Sequence, residues 1–297
     1  MIPPPASFAG RFARLAFAVS LLGFTPPVSA EIIVKDGERI GFLGDSITAG
    51  GWGNQAGYVK LIVAGFAANG VNIDAAPAGI GGHKSNQMLA RLYRDVLSKK
   101  PQWMTLSCGV NDVAQGKFGV PLDDAQAAAM VYEKRSANEP EKGTFQTNIA
   151  RIVEQAQAAG VKVMLLTATV IREDLANDSN QELAAYNDYL RQLAKEKQLP
   201  LADLNALFQE RIKAANQPGK NVFTTDGVHM NTEGYKLMAT GVLQAFGLDA
   251  QQIKRAQAAW APLVVQAMEN AKKVAEAKAR ISAEKAAASA APVPLTK

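Results

Sequence analysis

The sequence predicts an α/β fold of three layers, an α/β/α sandwich with a parallel sheet between two sets of helices, over residues 31–248. From Arg39 onward, short apolar runs alternate with stretches of helical period. The runs are mostly continuous rather than strictly alternating, which suits strands buried on both faces of a parallel sheet. Regular β-α-β alternation then argues for one layered domain.

The elements are expected in this order. The first strand is Arg39–Leu43, followed by Gly50, Gly51 and Gly53, which allow a backbone to approach a substrate closely, and by a helix at Tyr58–Asn69. The second strand, Val71–Ala75, precedes a helix at Ser85–Lys100, and the third, Trp103–Cys108, opens onto a stretch at 112–143. That stretch is far longer than ordinary connections of about 2–6 residues. It holds a short helix at Asp123–Lys134 and reads as a lid or substrate-binding loop, or as a disordered insertion. A helix at Thr144–Ala159 ends in Gly160, the residue type expected where a helix stops before a strand. Val161–Ala168, the helix Asn180–Gln198, the strand Leu199–Leu204 and the helix Asn231–Phe246 complete the body. Beyond it, residues 249–297 form an Ala/Lys-rich helical extension. Ile253, Trp260, Val264 and Met268 fall at packing intervals there, Pro262 can start a second helix, and the end frays toward Pro292 and Pro294.

The charge of the 297-residue chain is informative once it is divided. The total is +5, with 32 Lys and Arg against 27 Asp and Glu. Residues 1–30 carry +2 and residues 251–297 carry +5, so the body between them is slightly acidic, at −2. No basic groove with interleaved aromatics remains, and no nucleic-acid partner is expected. The first thirty residues have Arg11 and Arg14 ahead of an apolar run, Leu15–Phe24, and then Val28-Ser29-Ala30, the pattern of a cleaved signal peptide. A run of that length is too short for a bilayer core of about 30 Å. The mature chain, from Glu31, is therefore expected in the periplasm or outside the cell, with no integral span. The one cysteine, Cys108, cannot close an intrachain disulfide and reads as a buried apolar residue. With two histidines in the chain, no Cys/His zinc cluster can be built.

Candidate chemistry gathers at the strand ends, where ligands bind in such sheets. Ser46 follows the first strand in Gly44-Asp45-Ser46. Taken alone it reads first as a helix cap or a phosphate-binding hydroxyl, and only then as a nucleophile. A serine nucleophile needs a base, and the imidazoles on offer are His83 and His229. His229 has Asp226 three residues upstream on the same Gly-containing loop, within reach of Nδ1, whereas His83 follows two glycines and reads as a pocket-lining residue. Ala78-Gly79-Ile80-Gly81-Gly82 after the second strand, and Gly109-Val110-Asn111-Asp112 after the third, offer donors for a developing oxyanion or simply turns.

Together, Gly44-Asp45-Ser46, Gly82, Gly109-x-Asn111-Asp112 and Asp226-x-x-His229 resemble the SGNH (GDSL) hydrolase family, with the four blocks in family order from 44 to 229. The resemblance implies a flavodoxin-like sheet and an esterase with Ser46 as nucleophile, His229 as base and Asp226 as its orienting acid. The N–H groups of Ser46 and Gly82 and the Asn111 side chain would form the oxyanion hole. It implies no metal and no organic cofactor. Asp45, Trp52 and His83 are the candidates for substrate contact. Export, and the family's carbohydrate-deacetylating members, favour an O-acetylated sugar or polysaccharide, with Trp52 stacking on a ring or packing as a cap. The alternatives are a lipid or acyl-thioester hydrolase with an apolar groove from Val113, Phe118, Val120 and Met130, an O-acetyl transferase, or a non-catalytic carbohydrate-binding module. The basic 251–297 tail is expected either to touch an anionic envelope surface or to keep the protein soluble.

Overall fold

A computed structural model describes Met1 and residues 31–290; the expected signal peptide, residues 1–30, otherwise lies outside them. β1 (Arg39–Gly44) leads into α1 (Ser46–Gly53), followed by α2 (Tyr58–Ala67), β2 (Asp74–Gly79) and α3 (Ser85–Asp95). β3 (Trp103–Ser107) is followed by two short helices, α4 (Val110–Ala114) and α5 (Asp124–Ala129), and then by α6 (Phe145–Ala158). β4 (Lys162–Leu166), α7 (Asp178–Glu196), β5 (Leu201–Ala202), α8 (Leu204–Ala215) and α9 (Thr232–Ala245) complete the body. α10 (Ala250–Ala259) and α11 (Ala261–Ala290) follow.

All five strands are parallel, in the order β2-β1-β3-β4-β5. The chain steps out from β1 to β2, then crosses back to β3. A crevice therefore opens between the carboxyl ends of β1 and β3, the switch point where such sheets bind ligands. α2, α9 and α10 cover one face, and α3, α6 and α7 the other. Ile40, Phe42, Leu106 and Leu165 are buried in the sheet between them.

The outer strands depart from expectation. The second strand runs Asp74–Gly79 rather than Val71–Ala75. It pairs with β1 alone, so small side chains suffice, and Pro77 is tolerated where no second neighbour needs its N–H. Val71 and Ile73, which suggested a strand, pack on the core from the preceding loop. The opposite edge, β5, is two residues long. Three helices go beyond the expected set, α1, α4 and α8, and the helix expected at Asp123–Lys134 is confined to Asp124–Ala129.

The long excursion is pinned rather than loose. Lys84 Nζ meets Glu139 Oε1 at 2.6 Å, with side chains 1% and 2% exposed. The same carboxylate takes the Lys142 ammonium at 3.1 Å and the Arg135 N–H at 2.7 Å. Burial pushes the Glu139 carboxyl up, but the lysines and that N–H outweigh it and hold it at about 2. Glu139→Ala leaves Lys84 buried without its carboxylate, and a loss of about 3–5 kcal/mol in urea unfolding is expected. Because the folded value lies below the ordinary 4.5, the stabilisation is present above that pH and drains away as pH falls toward 2. Wild type should show this acid-side loss and the variant should show less of it.

The start of the C-terminal extension belongs to the body. Ile253, Ala256 and Trp260 are buried, and Trp260 Nε1 donates to the Leu61 carbonyl at 2.8 Å. Pro262 sits in the first turn of α11, as expected. Val264 is half-buried, but Met268 is exposed. Farther along, the exposed Val265 and Met268 fall on the opposite side of α11 from Val274 and Ile281, at about 100° per residue. These residues form no continuous apolar stripe of the kind a membrane-surface helix presents. Among the described residues, no helix is long and apolar enough to cross a membrane.

Candidate active site

Ser46 is the first residue of α1, directly beyond the carboxyl end of β1. The helix is seated hard against its neighbours. A Cβ on Gly79 would lie 2.2 Å from the Ala49 nitrogen, and one on Gly51 would lie 2.4 Å from the Tyr58 ring. Gly51, and Gly50 beside the Tyr235 hydroxyl, thus serve packing rather than approach to a substrate, whereas a Cβ on Gly53 would meet open space. Asp45, a candidate for substrate contact, is 2% exposed and turns inward, capping α1 by accepting from Ile47 N–H at 2.8 Å. Burial raises its carboxyl to about 6; the Ile47 N–H works against that shift and the Asp112 carboxylate adds to it.

His229 reaches Ser46 from the loop before α9. Thr224 and Met230 close that loop as an antiparallel bridge, so Asp226 and His229 face each other across a tight turn. One oxygen of Asp226 accepts from the backbone N–H of Val228 at 3.0 Å and of His229 at 2.8 Å. Its other oxygen lies 2.7 Å from His229 Nδ1, and His229 Nε2 lies 2.9 Å from Ser46 Oγ. Burial acts to raise the Asp226 carboxyl, but the imidazole and the two N–H groups more than offset it and hold it at about 2. An ionised Asp226 accepts from Nδ1–H, which leaves the lone pair of Nε2 aimed at the serine.

The donors stand on the other side of Ser46. Ile80–His83 is a turn closed by His83 N–H to the Ile80 carbonyl, with Gly82 at φ +75°. Positive φ at the third position is the mark of a type II turn, whose central peptide stands clear of the closing bond. Among the described residues, neither the Gly82 nor the Ser46 N–H has a hydrogen-bond acceptor. Asn111, early in α4, donates one amide hydrogen to the His83 carbonyl at 3.1 Å and keeps the second. The crevice therefore holds a serine, an imidazole, an ionised carboxylate and uncommitted donors, the constellation that acyl transfer requires.

Of the residues singled out in the sequence, Ser46, Gly82, His83, Asn111, Asp226 and His229 share this crevice or its rim. Trp52 does not sit beside Ser46. It lies six residues along α1, rotated by about 120° from Ser46 around the axis. It is 39% exposed, with Lys60 Nζ 5.7 Å from the ring centroid. Cys108 is buried as expected, its thiol pushed up chiefly by that burial.

Two supporting residues carry no sequence signal. Glu173, buried, accepts from the N–H groups of Val222, Phe223 and Thr224 and from the Thr224 hydroxyl, all at 2.7–2.8 Å, and so holds the root of the His229 loop. Arg91, also buried, donates to the carbonyls of Gly44 and Ala78 and to His83 Nδ1, tying the end of β1 to the Ile80–His83 turn. Each pairs with partners far away in the sequence, where it reads as an ordinary surface charge.

Comparison with known proteins agrees with this geometry. The family model of the GDSL-like lipase/acylhydrolase family matches residues 42–237. An acetylxylan esterase of Geobacillus stearothermophilus is 24% identical over 230 residues, covering 73% of this chain and 97% of that protein. The lipoprotein YqeF of Bacillus subtilis (strain 168) is 26% identical over 193 residues, covering 58% of this chain and 72% of that one. Among solved structures, an acetyl xylan esterase, AlAXEase, is similar with a TM-score of 0.57 at 27% identity, over 70% of this chain and 98% of that one.

Proposed function

The chain belongs to the GDSL-like lipase/acylhydrolase family, and we propose that it is an exported serine esterase that removes O-acetyl groups from carbohydrate. The observation that carries the chemistry is the continuous path from Ser46 Oγ through His229 to Asp226. Ser46 Oγ attacks the ester carbonyl carbon as its proton passes to His229 Nε2. Asp226 keeps the other proton on Nδ1 and stabilises the imidazolium. The carbonyl π electrons move onto oxygen, which the N–H groups of Ser46 and Gly82 and the second amide hydrogen of Asn111 receive. Collapse expels the sugar alkoxide, which takes the proton from Nε2 and leaves acetyl-Ser46. A water deprotonated by His229 then attacks, releasing acetate and restoring the serine. Asn111→Ala is expected to lower kcat by about 10²–10³ with a smaller change in KM, the effect of losing one oxyanion donor. Steady-state kinetics on an aryl acetate checks it.

Two observations support the acetylated sugar. Relatives covered almost end to end by this chain are acetylxylan esterases. Of the residues expected to build a groove for a long acyl chain, Val113 and Val120 are buried in the core, and Phe118 has cations 5.1 and 5.2 Å from its ring centroid. Export to the periplasm or the medium rests on residues 1–30 reading as a signal peptide, with a lipoprotein among the relatives. A panel of acyl esters of rising chain length, assayed beside acetylated xylan, tests the reading. Preference for acetyl and release of acetate from the glycan are expected; preference for long acyl chains overturns it.

A further inference from the structure

Beside the donor turn lies a cleft of about 290 Å³, walled by α3 on one side and by residues 136–140 of the long excursion on the other. His83, Gln87, Arg91 and Arg94 come from the first wall, and Ser136 and Asn138 from the second. The second wall is anchored. Glu139 is held on Lys84 at 2.6 Å, and the Pro140 carbonyl accepts from Asn86 Nδ2 at 3.1 Å. The cleft adjoins Gly82 through His83, the next residue in the chain.

The protonation of His83 is set by its neighbour. Arg91 Nε–H donates to His83 Nδ1 at 3.1 Å, so that nitrogen must carry a lone pair and the ring proton must sit on Nε2. Protonating Nδ1 would set two donors head to head beside a guanidinium. Burial, and then the Arg91 charge, push His83 down in the same sense. Among the described residues no bond is made by Nε2, so the half-buried ring offers one polar edge for binding, an Nε2–H donor. Gln87 is arranged alike: its oxygen accepts from Lys84 N–H at 3.0 Å, which leaves its amide hydrogens available. The two arginines do not make this an anion site, because Asp95 pairs with both, at 3.0 Å and 2.6 Å.

We propose that this cleft is a subsite for the sugar carrying the ester, in which His83 Nε2–H donates to a hydroxyl or ring oxygen of a neutral pyranose. The inference rests on the acetylated-carbohydrate reading and places the alcohol part of the substrate on the donor-turn side. It also gives the 112–143 excursion a task as a fixed wall rather than a moving lid.

The test compares an aryl acetate with an acetylated xylo-oligosaccharide in wild type, His83→Ala, His83→Gln and Ser136→Trp. His83→Ala should raise KM on the oligosaccharide at least about ten-fold more than on the aryl acetate, with kcat less affected, as expected for lost uniform binding. His83→Gln, whose amide nitrogen can take the place of Nε2, should recover most of that loss. Ser136→Trp fills the cleft from the opposite wall, and should lower oligosaccharide kcat/KM by a similar factor relative to aryl acetate. If the ratio between the two substrates stays at the wild-type value in His83→Ala and Ser136→Trp, the subsite is wrong and the acetylesterase reading stands. If wild type releases no acetate from any acetylated sugar, the acetylesterase reading falls and the subsite with it.

Discussion

Replacing Ser46 with alanine is expected to lower kcat for ester hydrolysis by about 10⁴–10⁶ while leaving the fold intact. The competing reading of Ser46 as a helix cap does not survive the geometry. Asp45 caps α1, its carboxylate taking the Ile47 N–H. The hydroxyl of Ser46 has His229 Nε2 as its partner at 2.9 Å. Loss of a half-exposed hydroxyl without a capping duty should move stability by no more than about 0.5 kcal/mol. Activity and stability therefore separate cleanly in this variant. Aryl acetate kinetics and urea unfolding on the same preparation read the two effects, and a fluorophosphonate probe gives a third measure, labelling wild type and not the variant. Wild-type turnover in Ser46→Ala would sink the assignment of the nucleophile, and with it the acyl-enzyme. Failure to label wild type would point instead to a binding module that has kept the scaffold.

What could be read in the sequence tracks where each residue's information lies. β1, β3 and β4 are buried on both faces, so their apolar runs announce them within a residue or two. β2 and β5 are edges. There the chain uses Ala76, Pro77 and Ala78, or two residues alone, and the hydropathy signal drifts onto neighbouring loop residues. α1 carries three glycines, a composition that disfavours helix locally, and it is held by close seating against β2, α2 and α9 rather than by propensity. The Ser46–His229–Asp226 hydrogen-bond path is foreseeable because histidine is scarce, so one Asp-x-x-His loop has few rivals. Glu173, Arg91 and the Lys84–Glu139 pair were not legible. Their work is to join segments brought together only by folding, and nothing local distinguishes a buried bridging charge from a solvated one.

The second large effect concerns which nitrogen of an imidazole holds the proton. Asp226→Asn is expected to lower kcat by about 10⁴. The asparagine oxygen can still accept from the N–H groups of Val228 and His229, so the loop should keep its shape. Its NH₂ then faces His229 Nδ1 where a carboxylate oxygen now sits at 2.7 Å. A donor in that place drives the ring proton to Nε2, which points at Ser46 and can no longer accept its proton. The wild-type protein already contains this arrangement at its other histidine: Arg91 donates to His83 Nδ1 and makes that ring an Nε2–H donor. One chain thus holds two imidazoles in opposite tautomers, each chosen by the partner on Nδ1, one suited to accept a proton and the other to donate a hydrogen bond. The check is kinetic and direct. In Asp226→Asn the rate of fluorophosphonate labelling should fall together with kcat, because both require Ser46 to lose its proton, while urea stability stays close to wild type. Retention of more than about a tenth of wild-type kcat would remove Asp226 from the triad, since a wrong tautomer costs far more than that.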